Sequence, residues 1–249
     1  MSLSKNKINF IDPDTFNFLI NLQELDLSYN ELQLIEANTF QNMTGLQSLS
    51  LNSNQIDSLD MNLFQGLNKL QELYLHSNQI KFIDPVTFQG MNNLKILTLS
   101  FNQLKSLDSN LFNGLNNLQR LNLDYNQLEL IDGKIFQDLT NLVELLLNFN
   151  QIRTIDSSTF QGLVNLSKLF LYSNQIQSFQ ANTFQCLNNL KAIDLKNNKI
   201  TSINKNLFSG LSKLTKVCLY DNPISTLFPN YVLDICSCIS IEQYCNIFN

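Results

Sequence analysis

The sequence predicts an α/β solenoid: short parallel strands on a concave face, mostly irregular turns on a convex face, and a right-handed coil joining the two. Three observations predict it. Leu22, Leu46, Leu70, Leu94, Leu118, Leu142, Leu166, Leu190 and Leu214 recur at one fixed interval without a slip. At the same interval stand Asn30, Asn54, Asn78, Asn102, Asn126, Asn150, Asn174, Asn198 and Asn222. A third comb holds Phe16, Phe40, Phe64, Phe88, Phe112, Phe136, Phe160, Phe184 and Phe208, half of the 18 Phe in the chain. A fixed period of this length marks a stack of similar turns, and such a stack makes an extended surface more readily than a closed pocket.

The elements follow in order. Residues 1–21 read as a partial N-terminal repeat, because Ile8, Ile11, Phe16 and Leu19 match the second half of the unit. No strand and no cysteine cap is expected ahead of them, so an unpaired strand edge should lie beside apolar residues and favour self-association through this end. Residues 22–213 are eight full 24-residue repeats. In each, two leucines such as Leu25 and Leu27 are two apart and so point to the same side of a short strand. Stacked strands should lie about 4.8 Å apart, giving a sheet of roughly 40 Å. A parallel sheet needs a crossover, and the remainder of each repeat (Ile80, Ile83, Phe88 and Met91 in one copy) supplies it. Residues 214–249 are the last strand and a cysteine-containing C-terminal cap.

The Asn comb sits where the chain leaves the strand and turns inward. Buried turning backbone needs hydrogen-bond partners, and an amide offers donors and an acceptor without a charge to bury. A middle Asn replaced by Leu should cost about 1–3 kcal/mol. The Phe comb reads as a stacked aromatic spine filling the broad convex side.

The motif carried by Leu22, Leu25, Leu27 and Asn30, repeated along residues 6 to about 224, resembles the leucine-rich repeat family in its 24-residue extracellular form. The resemblance implies a horseshoe and a role in ligand recognition, as in variable lymphocyte receptors, Toll-like receptor ectodomains and adhesion proteins. Asn222-Pro223 followed by Cys236, Cys238 and Cys245, with Cys218 just before, resembles the cysteine-containing C-terminal cap of such proteins. The match is partial, because that pattern usually opens its cysteine pair soon after Asn-Pro and places all four cysteines inside the cap. Joining Cys236 to Cys238 across one residue is geometrically poor, which leaves Cys218 with either of them and Cys245 with the other. Free thiols and a four-thiolate zinc site are the alternatives, the second disfavoured by the lack of paired spacing. Cys186 occupies a slot held by Gly in several other repeats and is expected to be an unpaired thiol.

Composition bounds the function. Hydrophobic residues make up 44% of the 249, enough for a continuous core, and charged residues 15%. A net charge of −5 argues against a general nucleic-acid binder. No run of eighteen apolar residues appears, so no membrane span is expected. The opening stretch, residues 1–7, is too short and polar for a signal peptide. Two sequons, Asn42-Met43-Thr44 and Asn165-Leu166-Ser167, map to the convex or flanking side. The resemblance to the extracellular type of repeat implies a place outside the cell or at its surface.

Function should sit in the slots that vary from turn to turn. Residues that alternate with the buried strand leucines face outward and line the concave side. They include an apolar and aromatic group, Tyr74, Ile96, Leu146, Phe170 and Tyr172, interleaved with Thr98, Arg120, Asn122, Glu144 and Lys168. Phe101, Tyr125 and Phe149, beside the Asn comb, could join this group or lie flat against the sheet edge. Nothing in the scaffold asks for apolar residues on the open side, and exposed apolar patches mark interaction sites. Charge is also polarised, with Glu24, Asp26 and Glu72 early and Lys168, Lys191, Lys196 and Lys216 late, diluted by Asp194 and Asp221. Catalysis is not expected. His76 is the one histidine, and with Ser100 and Asp124 it lacks the order of an acid–base relay. No metal site or cofactor is expected either. The sequence thus reads as a non-catalytic module that binds a protein, glycan or peptide on its concave sheet. A self-associating structural or adhesion scaffold is the other reading.

Overall fold

The computed structural model describes residues 1–224. Within them eleven short strands run in chain order: β1 (Glu24–Asp26), β2 (Ser48–Ser50), β3 (Glu72–Tyr74), β4 (Ile96–Thr98), β5 (Arg120–Asn122), β6 (Leu130–Ile131), β7 (Glu144–Leu146), β8 (Thr154–Ile155), β9 (Lys168–Phe170), β10 (Ala192–Asp194) and β11 (Lys216–Cys218). Nine of them form one parallel sheet in the order β1-β2-β3-β4-β5-β7-β9-β10-β11, while β6 and β8 pair separately. Partners across the large sheet stand one repeat apart throughout, for example Leu121 with Leu145 and Leu145 with Leu169. The predicted solenoid is therefore present, and its convex segments are turns rather than helices among the described residues.

Packing follows from the combs. The strand leucines are shut away from water, Leu25 at 1% and Leu27 at 0% exposure, and one hydrophobic core runs from Ile11 to Ile224. On the convex side the Phe rings stack face to face, with centroids 6.2 Å apart for Phe16 and Phe40, 6.3 Å for Phe112 and Phe136, and 5.7 Å for Phe184 and Phe208.

The Asn comb forms the expected ladder. Asn54 Nδ2 donates to the Leu51 carbonyl of its own turn at 3.1 Å and to the Leu27 carbonyl of the turn before at 3.0 Å. Its Oδ1 accepts from the Leu32 N–H at 3.1 Å. Asn102 and Asn150 repeat the arrangement. The amide works because it offers both polarities to backbone that turns inward without water.

The N-terminal expectation is corrected. Residues 1–5 are not without strand character: Ser2 bridges to Asp26 in parallel, Leu3 N–H donates to the Asp26 carbonyl at 2.8 Å, and Lys5 N–H donates to the Ser28 carbonyl at 3.0 Å. The edge of β1 is thus already paired. The reason is visible at Asn6, one tooth of the comb before Asn30, whose Nδ2 donates to the Leu3 carbonyl at 3.0 Å. Leu3, one repeat before Leu27, packs against the core and carries the leucine comb into this turn as well.

Candidate functional site

Each strand of the large sheet places one buried residue between two outward ones, and in-register pairing turns the outward ones into columns across the arc. One column brings Arg120, Glu144 and Lys168 side by side. Glu144 bridges the two cations, 3.0 Å from Arg120 and 3.5 Å from Lys168, so one carboxylate offsets part of the column's positive charge. The next column aligns Asn122, Leu146 and Phe170. Leu146 and Phe170 remain partly open to solvent, as do Tyr74, Ile96 and Tyr172. Nine of the ten concave residues named from the sequence therefore keep an open surface. Thr98 is the exception, 9% exposed, because its Oγ1 lies 2.9 Å from Nδ1 of His76.

Around Thr98 the sheet carries a shallow dish of about 310 Å³, lined by Tyr74, His76, Ile96, Thr98, Ser100, Arg120 and Asn122. Tyr74 donates its hydroxyl to Glu72 at 3.0 Å and meets the His76 ring edge-on, centroids 6.4 Å apart. Burial, joined by the Glu72 carboxylate, raises the Tyr74 hydroxyl above its ordinary value. Burial also lowers His76 below its usual value, so the ring is neutral near pH 7. Asp124 is occupied elsewhere. Its Oδ1 accepts the Asn148 N–H at 2.6 Å, and Asn148 in turn accepts the Tyr172 N–H at 2.9 Å. These side chains complete backbone groups where strands end, and the histidine, Ser100 and Asp124 form no relay. Burial outweighs the Asn148 hydrogen bonds and pushes the Asp124 carboxyl up to about 6.

A second surface runs along the edge beside the Asn ladder. The residue before each ladder Asn takes a left-handed backbone: φ is 55° at Tyr29, 56° at Ser53, 57° at Ser77, 54° at Phe101, and 52° at Tyr125 and Phe149. One backbone conformation aims every side chain of this row the same way. Phe101 and Tyr125 stack at 4.2 Å, and Tyr125 and Phe149 at 4.1 Å. Tyr172 closes the far end edge-on to Phe149 at 4.8 Å, and Lys196 then lies 4.9 Å over Tyr172 and 5.0 Å over Tyr220. These rings face water as well as one another, with Phe101 52% and Tyr125 40% exposed. Lying flat against the sheet is not what they do.

The opposite flank carries an amide ladder that the sequence reading missed. Asn117, Asn141, Asn165 and Asn189 donate to carbonyls of the preceding turn, Asn92, Asn116, Thr140 and Val164, at 2.8 to 2.9 Å. The signal was present as an Asn-Leu pair at the repeat interval. Asn165 belongs to this ladder as well as to its sequon, and Asn42 of the other sequon donates to Asn17 at 3.0 Å. Cys186 is a free thiol, and Cys218 is buried on β11. Cys236, Cys238 and Cys245 lie outside the described residues. Among the described residues no group of three His, Cys, Asp or Glu side chains could hold a metal, and no helix is long and apolar enough to cross a membrane.

With this geometry in view, comparison with known proteins is specific about family. A family model described as "Leucine rich repeat" matches residues 1–56, 44–104, 92–152, 140–200 and 171–224. Among solved structures the chain is similar to TLR13 in a TLR13-ssRNA13 complex, with 34% identity and a TM-score of 0.84 over 89% of this chain and 32% of that one. The chain therefore spans about a third of the length of that relative. No curated protein matches.

Proposed function

From a chain that belongs to the leucine-rich repeat family, we propose a non-catalytic recognition module that holds a protein ligand against its concave sheet. The supporting observation is the pair Leu146 and Phe170. They are adjacent in register, apolar and partly open on a face where the scaffold asks for neither property. Tyr74, Ile96, Asn122 and Tyr172 extend this surface to both sides. The Arg120–Glu144–Lys168 column gives it a polar margin, and Thr98 acts through His76 rather than by direct contact.

The test compares wild type with Leu146→Glu/Phe170→Glu in an unbiased capture followed by cross-link mapping. The expected result is a partner whose cross-links fall on β3, β4, β5, β7 and β9 and whose capture is lost in the variant, with an unchanged melting temperature. Equal capture by both proteins would remove the concave face from the reading.

A second reading draws on the similar structure, which is a complex with ssRNA13. Single-stranded RNA would then be the ligand. Against it stand the net charge of −5, the sharing of Glu144 by Arg120 and Lys168, and the pairing of Lys196 with Asp194. Binding to an RNA oligomer that weakens steeply with added salt and is lost in Lys168→Ala would favour RNA over protein. We further place the protein in an oxidising, extracellular or cell-surface setting, with Cys218, Cys236, Cys238 and Cys245 paired. One free thiol of five on denaturation without reductant supports this, and five free thiols reject it. Phe10, Phe18, Ile20 and Leu34, each exposed in the first turns, support self-association as a companion property. A strict monomer at high concentration in light scattering would refute it.

A further inference from the structure

The edge row beside the Asn ladder contains a gap with defined dimensions. Phe101, Tyr125 and Phe149 form three rungs of a ring column, and Tyr29 is a further ring of the same row. Between Tyr29 and Phe101 stand only Ser53 and Ser77. Their backbones match those of the ring-bearing positions, with φ of 56° and 57° against 55° and 54°. Two side-chain directions of the row are therefore set up without a ring, the serines being half-buried and Ser53 Oγ accepting from Asn52 Nδ2 at 3.4 Å.

Both bounding rings offer a face to this gap. Phe101 is covered on one side by Tyr125, so its other face looks toward Ser77, and the ring is 52% exposed. Lys5, one rung earlier, lies over the Tyr29 ring at 5.9 Å, so that ring is turned across the stack and its second face looks toward Ser53. At the 4.1 and 4.2 Å spacing of the filled rungs, the interval admits two planar groups, one against each ring.

Charge selects among planar groups. The sheet beside this interval is the acidic part of the arc, with Glu24 and Asp26 on β1 and Glu72 on β3 outnumbering Lys5 on the far face of Tyr29, while Arg120, Lys168 and Lys196 stand further along. A guanidinium is planar, cationic and stacks on aromatic faces, whereas an ammonium is a strongly hydrated point charge. The serine hydroxyls below can accept its N–H groups. We propose that the two vacant rungs over Ser53 and Ser77 form a docking slot for arginine side chains of a basic polypeptide partner, bracketed by Tyr29 and Phe101. The slot lies on the edge of the stack and goes beyond the proposed concave site.

The test uses hexa-arginine and hexa-lysine carrying the same fluorophore, together with an oligo-U RNA, read by anisotropy at low salt. Hexa-arginine should bind about five-fold more tightly than hexa-lysine. Ser77→Tyr fills one rung with a residue that Tyr29 and Tyr125 show to fit this backbone, and Phe101→Ser removes one face. Each should abolish the arginine preference while leaving the melting temperature unchanged and hexa-lysine binding intact. Leu146→Ala/Phe170→Ala should leave it untouched, which separates failure of the slot from failure of the concave reading. Equal binding of the two peptides overturns the proposal, as does an arginine preference that survives Ser77→Tyr. Tighter binding of the RNA, lost in Ser77→Tyr, overturns it in favour of nucleobases.

Discussion

Two rows of aromatic rings run along this molecule at the same repeat interval, and they obey different rules. The convex row is Phe in every turn, buried, with measured neighbours stacked between 5.7 and 6.3 Å apart. The edge row holds stacked rings at three successive positions, Phe101 and Tyr125 exposed and Phe149 half-buried, only 4.1 to 4.2 Å apart. The difference in spacing registers the curvature, because the same turns fan out on one side and crowd together on the other. It also separates two causes. Hydrophobic burial demands a ring in every convex slot. No such demand acts at the edge, where Ser53, Ser77 and Ser173 occupy the same backbone conformation.

Three substitutions can break or sharpen this contrast. The largest effect is expected from Phe112→Ala, which empties a fully buried slot between stacked neighbours and should cost about 3–5 kcal/mol in chemical denaturation. Next comes Asp124→Asn, beside the edge column. The folded chain holds the Asp124 proton up to about pH 6, whereas the unfolded chain releases it near the ordinary value of 3.8. Between these values the folded state binds more protons, so stability falls as pH rises through the window and stays lower above it. Asparagine keeps an oxygen for the Asn148 N–H without a charge and gives up the longer bond that Asp124 Oδ2 accepts from Asn148 Nδ2 at 3.3 Å. It should raise stability at pH 7 by about 1 kcal/mol, after discounting for partial exposure, and flatten the decline measured from pH 4 to 6. The smallest effect is expected from Tyr125→Ser, about 0.5 kcal/mol, since serine already serves at neighbouring positions of the row. If Tyr125→Ser proved as costly as Phe112→Ala, the edge column would be part of the scaffold after all.

Much of the fold was legible because each repeat states the same instruction and the copies correct one another. Leu25, Asn54 and Phe88 could be assigned to strand, ladder and spine without coordinates. The N-terminus was misread although Met1, Leu3 and Asn6 stand one repeat before Leu25, Leu27 and Asn30, because Met replaces the first strand leucine and the comb leucine before Leu22 falls ahead of residue 1. The outward columns were legible as columns. Arg120, Glu144 and Lys168 each stand one repeat from the next, so their pairing could have been read from the interval alone. Thr98 and the stacking of Phe101, Tyr125 and Phe149 were not legible, since they depend on side-chain rotation and on how tightly the arc bends. The amide ladder through Asn117 and Asn141 was overlooked because exposed Asn-Leu pairs look like ordinary loop residues until their partners one turn earlier are seen.

Every ladder Asn reaches backward: Asn54 both gives to and takes from the turn of Asn30, as Asn102 does with the turn of Asn78. Among the described residues the ladder therefore couples adjacent units, each turn fastened to the next. Deleting or duplicating one whole repeat anywhere in the middle reconnects identical couplings on both sides of the splice. A lineage carrying such a chain can lengthen or shorten its reach in whole units and can shuffle recognition surfaces intact, without having to reinvent the interior each time.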